Sequence, residues 1–328
     1  MEFAKGKLNG HQNVIVMRHG DRADHCEPLW ASTAVRPWDP PLVHDGKVRA
    51  FQTGQRIRSQ VGFPIHRVIV SPFLRCIQTA AQVVAALSAV NLDDNAMSSK
   101  DVPSIDNSKL KVAIEFGLCE ILNTVAIKSE VAPKDGKFDF KISDLQAMFP
   151  EGTVDINVDM ACKELPQWEE SAAGFKERYV STLKVLADKY PSENLLLVTH
   201  WGGVGTILYK YFNDATKYLV DYCGCVELRR QVSNNNESEE FEVVTSHGVA
   251  FKDNKAPIHG PIGGSNHQFT VPNNGTGYLW TPPRAAGFYP LLQGLSRFCL
   301  WKLATTESLV PSHLFFGSST LRYSRFIS

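Results

Sequence analysis

The stretch VIVMRHGDRAD, residues 14–24, changes abruptly from apolar to charged and polar side chains. Its first four residues are typical of a short buried strand. Arg18 and His19 follow at once, and Asp21 and Arg22 come after one glycine. Two arginines and a histidine at the end of a strand contribute little to a hydrophobic core. They are well suited to binding an anion, because guanidinium groups pair with anionic oxygens through two parallel hydrogen bonds.

Three other short apolar segments are predicted to be strands of the same sheet. They are RVIVS at 67–71, KVAIEF at 111–116 and NLLLVT at 194–199. Nearly continuous runs of β-branched residues or leucine are typical of parallel strands that are buried on both faces. Two alternating stretches, 224–231 and 240–248, predict a hairpin near the end of this pattern.

Helical patterns separate the strands. Apolar residues recur at helical spacing over 45–61, with Asp45 as a possible N-cap. Ser71 and Pro72 are predicted to cap and begin the next helix, and a further helix extends across 175–186. Alternation of strands and helices predicts an α/β fold, a three-layer αβα sandwich around a mostly parallel central sheet.

The composition is that of an ordinary folded protein. The chain has 328 residues, 43% of them hydrophobic, and Lys plus Arg equal Asp plus Glu at 34 each. Net charge therefore gives no reason to expect nucleic acid or a membrane surface as partner. No apolar run approaches the ~18–20 residues that span a bilayer, and no secretory signal is recognisable. The seven cysteines are odd in number and lack C-x-x-C spacing, so we expect reduced thiols and a cytoplasmic location.

Polar residues with complementary chemistry follow each predicted parallel strand. In an open α/β sheet, the carboxyl ends of these strands share one edge, where ligands bind. We therefore expect three arginines, two histidines and one glutamate in one place: Arg18, Arg22, Arg75, His19, His200 and Glu120. Guanidinium groups bind phosphate oxygens, a neutral imidazole is a nucleophile near pH 7, and a carboxylic acid can protonate a leaving oxygen.

The order of these motifs resembles the histidine phosphatase superfamily, in its phosphoglycerate-mutase-like branch. The resemblance rests on Arg18-His19-Gly20, SPFLRCIQTA at 71–80, Leu118-Cys119-Glu120 and Thr199-His200-Trp201-Gly202-Gly203. PLVHDGKVRA at 41–50 is similar to a further family segment, from which Val43 and Arg49 depart. RHGDRAD and HGPIGG, at 259–264, are most similar to the phosphatase domain of ubiquitin-associated and SH3 domain-containing proteins.

This resemblance implies a phosphoglycerate mutase-like fold over residues 12–267, with an N-terminal extension at 1–11. The tail at 268–328 matches no part of the family and is expected to be poorly ordered. The resemblance also implies a phosphohistidine on His19, with Glu120 as general acid and base. The implied phosphate-binding residues are Arg18, Arg22, Arg75 and His200, of which Arg18 and His200 also count as catalytic. No cofactor or metal is implied.

Some alternatives remain open at this point. Glu115, Asp21 and Asp24 are other acids that could serve as the proton donor. The glycines of Gly202-Gly203-Val204-Gly205 do not complete a dinucleotide-binding motif, and we expect them to allow close packing beside the site.

Three functions are compatible with the sequence. They are a phosphomonoester hydrolase, a phosphoglycerate mutase-type phosphoryl transferase, and a catalytically silent module that binds phosphate or a partner. Ile121-Leu122-Asn123-Thr124 follows Glu120 where mutases of the family carry E-R-H-Y-G, and 121–170 holds more acids than bases. We therefore expect hydrolysis of a phosphorylated small molecule or phosphoprotein. The sequence does not specify the oligomeric state, for which a homodimer is one option.

Overall fold

The computed structural model describes residues 10–27, 29–212, 217–232 and 240–252. The strands are β1 (His11–Arg18), β2 (Arg67–Val70), β3 (Lys111–Ile114), β4 (Leu195–Thr199), β5 (Lys217–Gln231) and β6 (Glu242–Lys252). They form one sheet in the order β3-β2-β4-β1-β5-β6. The first four strands are parallel, and β5 and β6 join as an antiparallel hairpin beside β1. The predicted strands and hairpin are confirmed.

Seven α-helices connect or flank the described strands. They are α1 (Ala23–Cys26), α2 (Trp30–Thr33), α3 (His44–Gln60), α4 (Leu74–Ser88), α5 (Ile142–Gln146), α6 (Ala172–Lys189) and α7 (Trp201–Tyr211). Short 3-10 turns occupy Ser99–Asp101 and Phe116–Leu118. No helix among the described residues is long and apolar enough to cross a bilayer.

Both faces of the sheet are covered. Successive residues of a strand point to opposite sides, so alternate residues of β1 belong to different buried clusters. Ile15 and Met17 of β1 belong to a buried cluster that includes Ile77 of α4. Val14 and Val16 of the same strand belong to a second cluster, built with residues of α6 and α7. The fold is therefore the predicted three-layer αβα sandwich.

Two predicted helix starts differ from the observed ones by one or two residues. Helix α3 begins at His44, so Asp45 lies in its first turn and is not the N-cap. Helix α4 begins at Leu74, so Ser71 and Pro72 precede it. The cause is a contact distant in sequence: the carboxylate of Asp39 accepts the Leu74 N–H at 2.8 Å and thereby satisfies the helix terminus. The Ser71 hydroxyl has a different partner in the site.

The predicted domain limits are not tested by these residues. The HGPIGG segment and the tail at 268–328 lie outside the described part of the chain. The glycines after His200 lie on the first turns of α7. A Cβ added at Gly202 would come within 3.1 Å of Phe175, and one at Gly203 would meet the ring of Tyr179. These two glycines therefore let α7 approach α6 closely, next to the strand end that carries His200.

Candidate active site

The ends of β1 and β4 place two buried histidines side by side. The His19 N–H donates to the Thr199 carbonyl at 2.9 Å, and the imidazole centroids of His19 and His200 are 5.5 Å apart. Nδ1 of His19 lies 2.8 Å from the Gly20 carbonyl oxygen. Because a carbonyl only accepts, Nδ1 must carry the proton, and Nε2 is left with a free lone pair.

The His19 ring is kept neutral by its surroundings. Burial is the first cause that lowers its pKa well below the usual value, and the positive charges of Arg75 and Arg18 add to the effect. A neutral imidazole with its proton on Nδ1 is the form in which Nε2 can act as a nucleophile.

His200 is fully buried and bonded through both ring nitrogens. Nη2 of Arg75 donates to Nδ1 at 3.2 Å, since a guanidinium has no acceptor. Nε2 therefore holds the proton and donates to the Ser71 hydroxyl at 2.8 Å. Burial, followed by the charge of Arg75, lowers the pKa of His200 well below its usual value. The neutral His200 ring therefore orients the Arg75 guanidinium by accepting one of its N–H groups.

Arg75, in the first turn of α4, is a buried cation with spare donors. It is 1% exposed, and among the described residues its Nε and Nη1 have no hydrogen-bond partner. Its nearest acids are Glu120, 3.7 Å from Nη2, and Asp39, 4.0 Å from Nη1. Burial lowers its pKa. Unpaired buried donors on a charged group are costly, and an anion that accepts from them would remove that cost.

Glu120 is the acid that contacts this group of side chains. Its Oε2 lies 3.3 Å from Nδ1 of His200 and 3.7 Å from Nη2 of Arg75. Its Oε1 accepts the Ile121 N–H at 3.2 Å. The carboxyl is therefore held at the edge of the site, with its side chain 13% exposed.

The alternative acids have other partners. Glu115 is buried, and its carboxylate accepts backbone N–H groups from Gly117, Ala161 and Cys162. Asp21 pairs with Arg49, and Asp24 pairs with Arg22. None of the three is linked to His200 or Arg75 by an ion pair.

Arg18 and Arg22 stand on either side of His19 in the sequence but differ in their contacts. Nη1 of Arg18 donates to the Val220 carbonyl at 2.6 Å, and its guanidinium lies 4.1 Å from the centroid of the Tyr222 ring. Arg22 donates two hydrogen bonds to Asp24, at 2.7 and 2.6 Å. Its positive charge still contributes to the lowered pKa values of His19, His200 and Arg75. All six predicted site residues therefore converge at one sheet edge.

The sequence patterns do not identify three residues that contribute to the site: Ser71, Asp39 and Tyr222. Ser71 stands in the S-P-x-x-R motif but looks like a helix cap. Asp39 looks like an ordinary turn residue. Tyr222 lies in a strand segment, DYCG at 221–224, whose glycine and broken alternation are the available signal of an irregularity.

The described residues hold no cluster of three or more His, Cys, Asp or Glu side chains arranged to bind a metal ion. The donors that converge at this edge are arginines and neutral histidines. They suit an anionic ligand with several oxygens, such as a phosphoryl group.

Residues 14–96 match the family model described as the histidine phosphatase superfamily (branch 1). Among solved structures, the chain is similar to an ecdysone phosphate phosphatase from Bombyx mori, with 20% identity, a TM-score of 0.49, and coverage of 79% of this chain and 97% of that one. It is also similar to a phosphoglycerate mutase from Bacillus anthracis, at 17% identity and a TM-score of 0.42, covering 70% and 91% of the two chains. A phosphoserine phosphatase from Entamoeba histolytica gives 14% identity and a TM-score of 0.39, with 74% and 98% coverage. No curated protein matches the chain.

Proposed function

We propose that this chain is a histidine phosphatase of the superfamily whose model matches residues 14–96, and that it hydrolyses phosphomonoesters through a phosphohistidine on His19. The observation that carries the proposal is the His19 ring, whose Nδ1 proton is bonded to the Gly20 carbonyl so that Nε2 is unprotonated. It lies beside Arg75, a buried arginine with unpaired donors. A nucleophile next to spare cationic donors is the arrangement that phosphoryl transfer requires.

In the first step, N–H groups of Arg18, Arg22 and Arg75 donate to the phosphoryl oxygens and stabilise the charge that builds up in the transition state. Nε2 of His19 attacks phosphorus and forms the P–N bond. The ester P–O bond breaks, its electron pair goes to the leaving oxygen, and Glu120 gives that oxygen a proton.

In the second step, the Glu120 carboxylate takes a proton from a water molecule as its oxygen attacks phosphorus. The P–N bond breaks and its electron pair returns to Nε2 of His19. Inorganic phosphate leaves, and Glu120 is again protonated.

His200 has two roles in this proposal. With Nδ1 accepting from Arg75, the neutral ring orients the guanidinium. To donate to a phosphoryl oxygen, Nδ1 must gain a proton, which comes from solvent or from a monoprotonated phosphoryl group and not from Glu120; the negative charge of the incoming phosphoryl group favours this protonation.

Hydrolysis is preferred over mutase-type transfer for the reasons that the sequence offers. The residues after Glu120 lack the basic element of the mutases, and 121–170 is rich in acids. A substrate with one phosphate, either a small molecule or a phosphoprotein, suits this composition. Phosphotyrosine is the candidate that the subgroup resemblance implies. We propose a cytoplasmic location, and a relationship to the phosphatase domain of ubiquitin-associated and SH3 domain-containing proteins that rests on the sequence motifs.

The proposal is tested by trapping phosphate on the protein. Rapid quench of the enzyme with labelled p-nitrophenyl phosphate should give an adduct that survives base and is lost in mild acid, as expected of a phosphoramidate. The variant His19→Ala should lose the adduct and at least ~10³-fold in turnover, as expected when a nucleophile is removed. His44→Ala, at an exposed histidine on α3, is the control and should behave like the wild type.

Normal turnover by His19→Ala would exclude the phosphohistidine mechanism. A wild-type protein that binds inorganic phosphate, yet neither forms the adduct nor hydrolyses any ester, would instead favour the silent binding module.

A further inference from the structure

Strand β5 carries a bulge directly opposite Arg18 and His19. Its register with β6 shifts between Val220 and Cys225. Cys223 has a φ of 56°, in the left-handed region that side chains other than glycine rarely adopt. A Cβ at Gly224 would come within 2.7 Å of the Gly248 carbonyl oxygen. The bulge is thus a specific feature of the sheet, and bulges of this kind change the direction of a side chain.

Two hydrogen bonds fasten the bulge to the end of β1. The Val220 carbonyl accepts from Nη1 of Arg18 at 2.6 Å. The Cys223 N–H donates to the His19 carbonyl at 3.2 Å. Tyr222, between these two anchors, is held against the candidate nucleophile, with its ring centroid 5.7 Å from that of His19.

The Tyr222 ring covers the Arg18 guanidinium. The distance from the Arg18 Cζ to the ring centroid is 4.1 Å, which is well within cation–π range. The Tyr222 hydroxyl lies 2.6 Å from Nδ1 of His25. Burial raises the pKa of Tyr222 and lowers that of His25, so the protonated hydroxyl donates to a neutral ring. This hydrogen bond is exposed to solvent, so it contributes little to holding the ring, which the bulge and the contact with Arg18 position.

The contact with Tyr222 stabilises the charge of Arg18 in a different way from the ion pair that stabilises Arg22. Burial is the main cause of the lowered pKa of Arg18, and repulsion by the positive charge of Arg22 lowers it further. Arg22 is compensated by Asp24, which accepts two of its N–H groups and competes with any phosphate. The π face of Tyr222 attracts the Arg18 cation without accepting any of its N–H groups, and Nε of Arg18 has no hydrogen-bond partner among the described residues.

We infer that Tyr222 is a positioning residue for Arg18: its ring, presented by the β5 bulge, fixes the guanidinium while leaving donors available to a phosphoryl group. This inference rests on the proposed function, because it assigns Arg18 to the phosphoryl group. It predicts that the aromatic ring matters for phosphate binding and that the hydroxyl does not.

The test compares Tyr222→Leu with Tyr222→Phe. Affinity for inorganic phosphate is measured by titration calorimetry, and kcat/KM is measured with p-nitrophenyl phosphate. A cation–π contact contributes ~0.5–2 kcal/mol, so Tyr222→Leu should weaken both quantities about 2- to 30-fold. Tyr222→Phe keeps the ring and should stay within about twofold of the wild type. Tyr190→Leu is the matched control, because Tyr190 covers Arg67 at the same distance of 4.1 Å, at the other end of the parallel strands.

A double-mutant cycle shows whether Tyr222 acts through Arg18. In an Arg18→Ala background, Tyr222→Leu should cause no further loss of phosphate affinity. A full additional loss there would overturn the inference, as would wild-type affinity in Tyr222→Leu or equal losses in the phenylalanine and leucine variants. If thermal melting shows that Tyr222→Leu is not folded, Tyr222→Met replaces it, because methionine keeps the side-chain bulk without a π face.

Failure of the proposed function can be distinguished from failure of the role inferred for Tyr222. Phosphate affinity needs no turnover, so the Tyr222 comparison remains decisive in a protein that binds phosphate without hydrolysing esters. Conversely, a wild type that forms the acid-labile adduct while Tyr222→Leu binds phosphate normally would retain the proposed function and exclude the role of Tyr222.

Discussion

At the scale of single residues, one hydrogen bond sets the protonation of each candidate histidine. The sequence predicts which residue types meet, since strand ends share an edge of the sheet. It does not predict that the Gly20 carbonyl keeps the proton on Nδ1 of His19, or that Ser71 accepts from His200. These bonds depend on rotamers and on distances between segments far apart in sequence.

Ser71→Ala should destabilise the fold by ~1–3 kcal/mol and lower turnover, because it leaves the buried Nε2–H of His200 with only a weak acceptor, the Cys76 sulfur at 3.6 Å. Ser88→Ala is the matched control. Both serines are fully buried, but the Ser88 hydroxyl has no hydrogen-bond partner among the described residues, so its removal should be neutral or slightly stabilising. Urea denaturation of the two variants measures the difference, and equal losses would show that the Ser71–His200 bond contributes nothing.

Glu120→Gln should slow alkyl phosphates more than p-nitrophenyl phosphate, whose leaving group needs little protonation. Values of kcat for both esters give the ratio. Glu115→Gln is the control: its carboxylate caps three backbone N–H groups, so it should cost stability while the two esters keep their ratio. Equal losses on both esters in Glu120→Gln would move the acid role to another residue.

At the scale of elements, the parallel strands were predictable and the irregular segments were not. Each parallel strand is a continuous apolar run, a local signal that needs no knowledge of its neighbours. The start of α4 depends on Asp39, and the bulge in β5 depends on Arg18 and His19. Contacts of this kind are absent from the local pattern, which therefore wrongly predicts Ser71 as a cap and does not identify Tyr222.

Gly54→Ala should destabilise the protein although alanine favours helices. A Cβ at Gly54 of α3 would come within 2.8 Å of the Ala86 Cβ and 2.9 Å of the Val83 Cα on α4, so the two helices must separate. Overpacking of this kind costs ~1–3 kcal/mol. Gly205→Ala is the control on α7, where nothing lies within 4 Å of the added Cβ, and it should stabilise by up to ~1 kcal/mol. Melting temperatures that shift in the same direction for both variants would contradict this explanation.

At the scale of the whole molecule, the two buried histidines couple stability to pH. Burial lowers the pKa of both His19 and His200, so the unfolded chain binds protons below its own histidine pKa of about 6.5 while the folded chain does not. Their contribution is complete above that pH and is lost as the pH falls, by up to ~1.4 kcal/mol per pH unit for each ring. Urea denaturation at several pH values between 7 and 5 should show this slope. His200→Gln should make the slope shallower, and an unchanged slope would assign it to carboxyl groups.

A chain that ends at residue 268 should remain soluble and hydrolyse p-nitrophenyl phosphate at the full-length rate. The reason is that all six candidate site residues, and every described strand, precede that point. Gel filtration and turnover of the shortened protein provide the measurement. Insoluble protein, or loss of turnover with the fold intact, would show that the last residues belong to the working enzyme.

The central position of β1 has a consequence for how the molecule is made. Val14 pairs with Leu195 on one side and Leu228 on the other, so the strand that carries the candidate nucleophile has no neighbour nearby in the sequence. During synthesis this apolar strand is made well before β4 and β5, so it stays without its pairing partners until they are made. Such long-range closure is slow and leaves apolar surface open to aggregation until it is complete. The candidate site is completed only after β5 has been synthesised, because Val220 and Cys223 of that strand bond to Arg18 and His19. We therefore expect phosphate affinity to appear only after that segment has been made.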